Sequence, residues 1–430
     1  MRRRQGRQRR SALAGTAFAS LIAIAMAGCA SSGSSSSPAA VSGGSGSGGD
    51  AVKVGTLIPL TGTGLNFPDY LAGAKAAVQS INGQGGVNGR KIDLVECDDQ
   101  NDPNQAQSCA RSMISQHVIA VAGGVSLFGA QEAELLKSAG IPWVGALPIV
   151  AQETSLSNEY PIESGNIGNY GTVAYFAKKA GKTAVAGLVL QGPLGTAAAQ
   201  ALQQGAQAVG LPYKGTVTVP IDATDYAPYI QKLAALNADA IGTQLASAQF
   251  LLFATAAAQA QETWQVYAPA VAIATNFFSA MNSQAAEVAR VTPLSAVPPA
   301  DPSAAASYPG ISKYLADIKA YESATHDPSA AGANYYTEGS ISSWQAVEAV
   351  AAVLKSVSGT PTTQSFADAL QKSGPVDTGL GPAWNPPPPG GPSAYPQVTN
   401  GTEFAWSLKG QKYTLAVPEP VDVFQLLSAK

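Results

Sequence analysis

Val52-Lys53-Val54-Gly55-Thr56-Leu57-Ile58, the stretch Asp69 to Asn82, and Ile92-Asp93-Leu94-Val95-Glu96 follow one another as an apolar run, an amphipathic segment and a second apolar run. In the middle stretch Leu71, Ala74, Ala77, Val78 and Ile81 recur at helical spacing and share one side. Strand, helix and strand in this order make a βαβ unit, in which the helix is the crossover between parallel strands. The pattern continues outward. Asp102-Pro103 offers an N-cap followed by proline at the first helical position, opening a helix to about Gln116. Val118–Ala122 then reads as strand, Phe128–Ala139 as helix and Pro142–Ala146 as strand. A second run of the same kind begins near Thr183, with strands at about Ala184–Leu190, Tyr213–Val219, Asp239–Thr243 and Gln265–Ala268. Helices near Gly195–Gly210, Asp225–Leu236 and Ser247–Glu262 separate them. Two parallel-sheet domains follow from this alternation.

The last third differs. Helices are expected at Tyr308–Thr325, Glu338–Val357 and Thr362–Lys372, and the tail from Gly374 is rich in Pro and Gly with a few short alternating runs. Pro386 to Pro389 fit neither a helix nor a sheet interior and read as a surface loop. The prolines of Pro293–Pro309 read as a connection passing between the two domains.

The 430 residues carry 46% hydrophobic and only 12% charged side chains, with a net charge of −3, which gives no general electrostatic hold on nucleic acid. Arg2, Arg3, Arg4, Arg7, Arg9 and Arg10 crowd into the first ten residues, ahead of an apolar run from Ser11 to Gly28. Residues 1–28 read as a signal peptide. Met26-Ala27-Gly28-Cys29 resembles a bacterial lipobox, which implies cleavage before Cys29 and a diacylglyceryl anchor on its thiol. The alternative is a plain secreted or uncleaved form, and Arg9-Arg10 leaves the twin-arginine route open. Residues 29–50, the anchor and a Ser/Gly-rich stretch with nothing to bury, form a tether. The expected location is the outer face of the cytoplasmic membrane. Cys97 and Cys109 remain as one pair in a compartment that permits disulfides, and a bridge is expected, with two buried free thiols as the other reading.

From Val52 to Pro148 the chain resembles the type I periplasmic binding proteins of ABC importers, in particular the branched-chain amino-acid group. Ile58-Pro59-Leu60-Thr61-Gly62, Gly73-Ala74, Ala77-Val78, Ile81-Asn82, Gly85 to Ile92, Asp98-Asp99 and Asp102-Pro103 stand in that family's order and spacing. The match continues more thinly through Gly195, Thr224-Asp225-Tyr226, Asp239-Ala240, Tyr321 and Trp344 to Val347, reaching Gly379-Leu380-Gly381-Pro382. The resemblance implies two Rossmann-like parallel-sheet lobes joined by a multi-strand hinge. Residues 51–168 with about 293–373 would form lobe I, and 169–292 with about 374–430 lobe II. It also implies a monomer that delivers a small molecule to ABC permease and ATPase subunits, with no cofactor.

Ligands of open α/β sheets sit outside the carboxyl ends of the strands. The candidate loops are therefore Leu60–Asp69, Gly123–Phe128, Ala146–Ala151, Gln191–Gly195, Gln244–Ser247 and Pro269–Asn276. By the resemblance Ser126 holds a ligand carboxylate at a helix start, although it could simply cap its own helix. The hydroxyl expected after the fourth strand is replaced by Ala146-Leu147-Pro148-Ile149. A tyrosine of the second lobe is replaced by Leu194, a later one falls near Ala246, and the acidic partner of a ligand ammonium falls near Ala270. A zwitterionic amino acid should therefore fit poorly. Phe67, Leu127, Leu147 and Leu194, with the neutral groups of Gln191 and Gln244, point to an apolar or aromatic ligand with a carboxylate, if any, at Ser126; each could instead be ordinary packing. Tyr335, Tyr336 and Glu338 fall near the cleft edge.

Asp98 and Asp99 invite a metal or catalytic reading, but adjacent aspartates at a strand end more often cap turns. No G-x-S-x-G, HExxH, Walker A or dinucleotide fingerprint is present, so an enzyme is not expected. The alternatives are a ligand-sensing receptor of a signalling system, a branched-chain amino-acid binder, or an interaction module that has lost its ligand.

Overall fold

The computed structural model describes residues 50–62, 66–273, 281, 288, 290–331, 337–386, 395–409 and 412–428. The leader, Cys29 and the tether up to residue 49, Tyr335, Tyr336 and Pro387–Pro389 lie outside them, as does the end of the loop at Asn276.

The first sheet is parallel and runs β2-β1-β3-β4-β5, from β1 (Val52–Ile58), β2 (Ile92–Asp98), β3 (Ala120–Ala122), β4 (Trp143–Val144) and β5 (Glu159–Tyr160). Helix α1 (Pro68–Gly83) crosses from β1 to β2, which pair in register from Val52↔Ile92 to Ile58↔Asp98. α2 (Pro103–Ser115) begins as expected, the Asp102 carboxylate accepting the N–H groups of Asn104 and Gln105 at 2.9 Å each. α2 packs against α3 (Gly129–Ser138).

The second sheet repeats this strand order. β6 (Val185–Leu190), β7 (Tyr213–Val219), β8 (Ala240–Gln244), β9 (Gln265–Pro269) and β10 (Val291–Ser295) are parallel and lie β7-β6-β8-β9-β10. Their helices are α6 (Pro193–Val209), α7 (Ala227–Ala234) and α8 (Ser247–Gln259). In both sheets the order reverses beside the first strand, which places a topological switch point at the carboxyl ends of β1 and β3 and of β6 and β8.

Several elements depart from the sequence reading. The run at Pro293 is the fifth parallel strand, β10, and not only a connection; residues 296–309 then lead to α9 (Gly310–Thr325), which packs on α1. The Pro/Gly-rich tail supplies β11 (Thr402–Lys409), β12 (Lys412–Leu415) and β13 (Val421–Asp422), which extend the second sheet in antiparallel fashion, and a short α12 (Val423–Ser428). The two-residue strand β5 and the helices α4 (Asn166–Gly171) and α5 (Val173–Lys179) carry no strong periodic signal in so few residues.

α10 (Glu338–Leu354) covers the first sheet beside α1, approaching so closely that a Cβ on Gly73 would lie 2.0 Å from the Ser340 carbonyl oxygen. α11 (Thr363–Lys372) packs on α10, with Thr362 accepting the Ser365 N–H. Three segments pass between the sheets, residues 161–165, residues 296–309 and a third of which 373–386 and 395–401 are described, and indole groups tie them down. Trp384 Nε1 donates to the Pro161 carbonyl and Trp406 Nε1 to the Val297 carbonyl, both at 3.0 Å. Cys97 at the end of β2 and Cys109 in α2 form the expected disulfide.

Candidate functional site

The carboxyl end of the first sheet carries an apolar cluster. Ile58, Tyr70 and Val125 are its buried centre, with Leu60, Phe67, Leu71, Leu147 and Ile149 against them, and Val271 joins from beyond β9 of the second sheet. Phe67, at the start of α1, meets Tyr70 edge to face with ring centroids 5.4 Å apart. The fold thus brings Phe67 and Leu147 together. Leu127 stands apart, 48% exposed, and is not part of that cluster.

On the second sheet Gln191, Leu194 and Gln244 share the edge at the β6–β8 switch point. Gln244 Oε1 accepts the Leu190 N–H at 3.1 Å, Leu194 is half-buried in the first turn of α6, and Gln191 is exposed. A cavity of about 70 Å³ joins the two sides, bounded by Pro148, Ile149 and Val150 after β4, by Ser164 and Asn166 on the first crossing, and by Ala197 and Ala201 of α6. A roomier cavity of about 470 Å³ lies away from this edge, a polar groove along Ser356, Ser365, Asp368 and Lys372.

Ser126 is buried, and its Oγ accepts the Phe128 N–H at 3.0 Å, so it does cap the turn that opens α3. The buried carboxyls of Asp99 and Glu132 lie near it, and Asp99 Oδ2 and both Glu132 oxygens are enclosed without a hydrogen-bond partner among the described residues. Burial raises the Asp99 pKa above the ordinary carboxylate value, against the effect of Ser126 and the Asn101 N–H. Burial pushes Glu132 up to about 8, partly offset by Ser126 and reinforced by Asp99 and Glu153. Glu153 rises to about 7 through burial, although it accepts the Ile149 and Val150 N–H groups at 2.7 Å. Glu159, fully enclosed, lies well above the usual range from burial and the repulsion of Glu153 and Glu132. Neither Glu159 oxygen has a hydrogen-bond partner among the described residues.

Asp98 has a different role. Its Oδ1 accepts the N–H groups of Leu60 at 2.8 Å and Gln100 at 3.0 Å, and its Oδ2 the Thr61 hydroxyl at 2.5 Å, fastening the β1–α1 loop to the end of β2. Burial opposes its charge, but these hydrogen bonds outweigh it and hold the pKa below the usual carboxylate value. Asp99 Oδ1 accepts the Asn101 N–H at 2.9 Å. Both aspartates therefore organise the turn. No group of three or more His, Cys, Asp or Glu able to hold a metal occurs among the described residues.

A second acidic group, of which the sequence reading named only Glu338, sits where the crossings meet. Glu338, first residue of α10, accepts the N–H of Val271 at 3.1 Å and of Ala296 at 3.2 Å, so it links the first sheet's helix to the ends of β9 and β10. Glu403 on β11 accepts the Ser164 hydroxyl at 3.2 Å. Burial pushes Glu163 up to about 8 and Glu338 to about 7, with Glu338 opposing Glu163 and Ser342 relieving it; Glu403 lies higher still. Glu163 lies within the first crossing and Glu403 just past the third, a signal visible only once the crossings are placed.

Two sheets of matching strand order, with an apolar edge shared between them and chain crossings beside it, define a two-lobed solute-binding architecture. The chain belongs to the periplasmic binding protein family, whose profile matches residues 51–390. The family binds solutes and is one of exported proteins. A relative, the leucine-, isoleucine-, valine-, threonine-, and alanine-binding protein of Pseudomonas aeruginosa, is 36% identical over 85 residues, 20% of this chain and 23% of the relative. Across the curated relatives the matched segment spans about a fifth to just over a quarter of their length. The fatty acid ABC transporter substrate-binding protein of Thermomonospora curvata superposes with a TM-score of 0.70 at 16% identity, covering 89% of this chain and 94% of that one. An R. palustris ABC transporter solute binding protein in complex with 4-hydroxybenzoate gives 0.69 at 17% identity, covering 87% and 97%. At these identities the likeness is one of fold. No helix among the described residues is long and apolar enough to cross a membrane.

Proposed function

We propose that this protein is an extracytoplasmic solute-binding lipoprotein of an ABC importer, anchored through Cys29, monomeric, and specific for an apolar or aromatic small molecule. Residues 51–168 with about 293–373 form lobe I, and 169–292 with about 374–430 form lobe II. The reading rests above all on the apolar cluster in which Val271 meets Phe67, Tyr70 and Leu147 across the two sheets. Leu127, Leu194, Gln191 and Gln244 line the rim, and Ser126 lies beneath it. Ligand pockets usually offer about 300–1,000 Å³, so the 70 Å³ enclosed here means that the lobes part to admit a ligand, hinging on the crossings. Similar proteins named for amino acids, a fatty acid and 4-hydroxybenzoate support a small solute delivered to permease and ATPase subunits.

Where the ligand carries a carboxylate, this reading places it at Ser126, whose Oγ accepts the Phe128 N–H at the opening of α3. The test is a thermal-shift screen of the purified protein against amino acids, aromatic solutes and aliphatic solutes. Apolar or aromatic solutes should raise the melting temperature, since a ligand at 100 times its Kd adds about 2.7 kcal/mol. A strong response confined to leucine or valine would overturn the ligand class.

A further inference from the structure

We infer that Glu338 is the positioning residue that holds the second sheet against the ligand-facing cluster of the first, a latch of lobe closure formed by one carboxylate. The inference deepens the solute-binding reading above and rests on it.

Two backbone donors create the need for it. The parallel pairing of β9 with β10 runs from Val266↔Val291 to Pro269↔Leu294. Val271 and Ala296 lie just past its end, and neither N–H reaches a backbone carbonyl among the described residues. A donor left unpaired away from water is costly. Glu338 satisfies both, its Oε2 accepting the Val271 N–H at 3.1 Å and its Oε1 the Ala296 N–H at 3.2 Å. Hydrogen bonds to a carboxylate belong to the stronger class. Each oxygen is committed to a different strand end, so one side chain holds β9 and β10 together.

This side chain does not serve its own helix. Thr337 caps α10, its Oγ1 accepting the Ser340 N–H at 3.3 Å. A carboxylate in the first turn suits the helix dipole, but a capping role would turn it back toward the N–H groups of α10. Its oxygens reach instead to the other sheet.

The same helix start is fixed to the ligand-facing side of the first sheet. The Thr337 hydroxyl donates to Asp69 Oδ2 at 2.6 Å, in the first turn of α1. Gly339 packs against Tyr70, where an added Cβ would lie 1.8 Å from the ring carbon Cε2. Phe67 and Tyr70, at the start of α1, belong to the apolar cluster that Val271 joins from the second sheet. A continuous path therefore runs from the cluster through Asp69 and Thr337 to Glu338 and back to the cluster at Val271. With the path intact, Val271 is held on the Phe67 side; broken at Glu338, the ends of β9 and β10 are free to draw away. Apparent affinity scales with the fraction of molecules in the shut form. Loss of the latch thus weakens binding without removing a group that touches the ligand.

The test compares the purified wild-type protein with Glu338→Ala, Glu338→Gln and Thr362→Ala at pH 8, above the value of about 7 to which burial pushes Glu338. Thr362 caps α11 and takes no part in these bonds, so its variant controls for lost stability alone. The readouts are amide hydrogen exchange, small-angle scattering without added solute, and titration with phenol, indole and octanol. In Glu338→Ala the Val271 and Ala296 amides should exchange at least tenfold faster, with β1 and β6 unchanged, and the radius of gyration should increase. Any probe that binds the wild type should bind at least tenfold more weakly. Glu338→Gln, which keeps one acceptor oxygen, should fall between, and Thr362→Ala should match the wild type in all three readouts. Faster exchange spread evenly over both sheets, or unchanged exchange and affinity in both Glu338 variants, overturns the inference. Silence from every probe on the wild type counts against the solute-binding reading, while exchange and scattering still decide whether Glu338 holds the lobes together.

Discussion

The two lobes share a strand order and differ in what they place at the ligand edge. The first binds its edge down with Asp98 on the β1–α1 loop, the Cys97–Cys109 bridge behind it and acidic residues at three helix starts. The second has no described disulfide, and α6 and α8 start without an acidic residue in the first turn. One topology therefore supports two kinds of edge, one fastened and lined with carboxyl groups, the other built from backbone ends.

If that contrast is right, the largest effect should come from pH. Glu132 and Glu163, raised to about 8, and Glu153 and Glu338, raised to about 7, hold protons in the folded state that the unfolded chain loses near 4.5. Stability is then greatest below pH 4.5 on this account and falls as pH rises through 5 to 8. Each excess proton contributes about 1.4 kcal/mol per pH unit. Denaturant unfolding at pH 5, 6.5 and 8 should show the decline, and hydrogen exchange should place the loosening at α3 and α10 before α6 to α8. A flat profile would contradict it.

Next is the disulfide, which only the first lobe has among the described residues. Cys97→Ser with Cys109→Ser should cost about 3 kcal/mol in chemical denaturation and loosen the first sheet selectively. A smaller effect tests what the lobes share: Gly73→Ala in the first and Gly205→Ala in the second, whose added Cβ atoms would each lie 2.0 Å from a backbone carbonyl oxygen, Ser340 and Gly171. Both should cost about 2 kcal/mol by the same method; a cost in one lobe alone would break the parallel. Asp102→Ala, removing the α2 cap, should cost about 1 kcal/mol in thermal unfolding.

The same contrast explains what could be read from sequence. β1, α1, β2 and α2 were legible to within a few residues because each is long, periodic and punctuated, as at Asp102-Pro103. β10 was hidden because Pro293 argues against a strand interior, and β11 to β13 because the tail's turn residues mask alternating runs that make sense only beside β10. At the site, Phe67 and Leu147 could be placed from the strand-end loops together with the family resemblance. The burial of the Asp99 and Glu132 carboxyls near Ser126 could not, since those residues stand 27 and 6 positions away and nothing local announces their meeting. Glu338 was named as a cleft-edge residue, but its bonds to Val271 and Ala296 depend on the far lobe.

The most direct test of the central claim is a crystal structure of the protein with whichever solute stabilises it most. The account predicts density for that solute between Phe67, Tyr70 and Leu147 on one side and Val271 on the other, with its polar end toward Ser126. Density in the groove at Ser356 and Lys372, or elsewhere outside the space between the lobes, would contradict it.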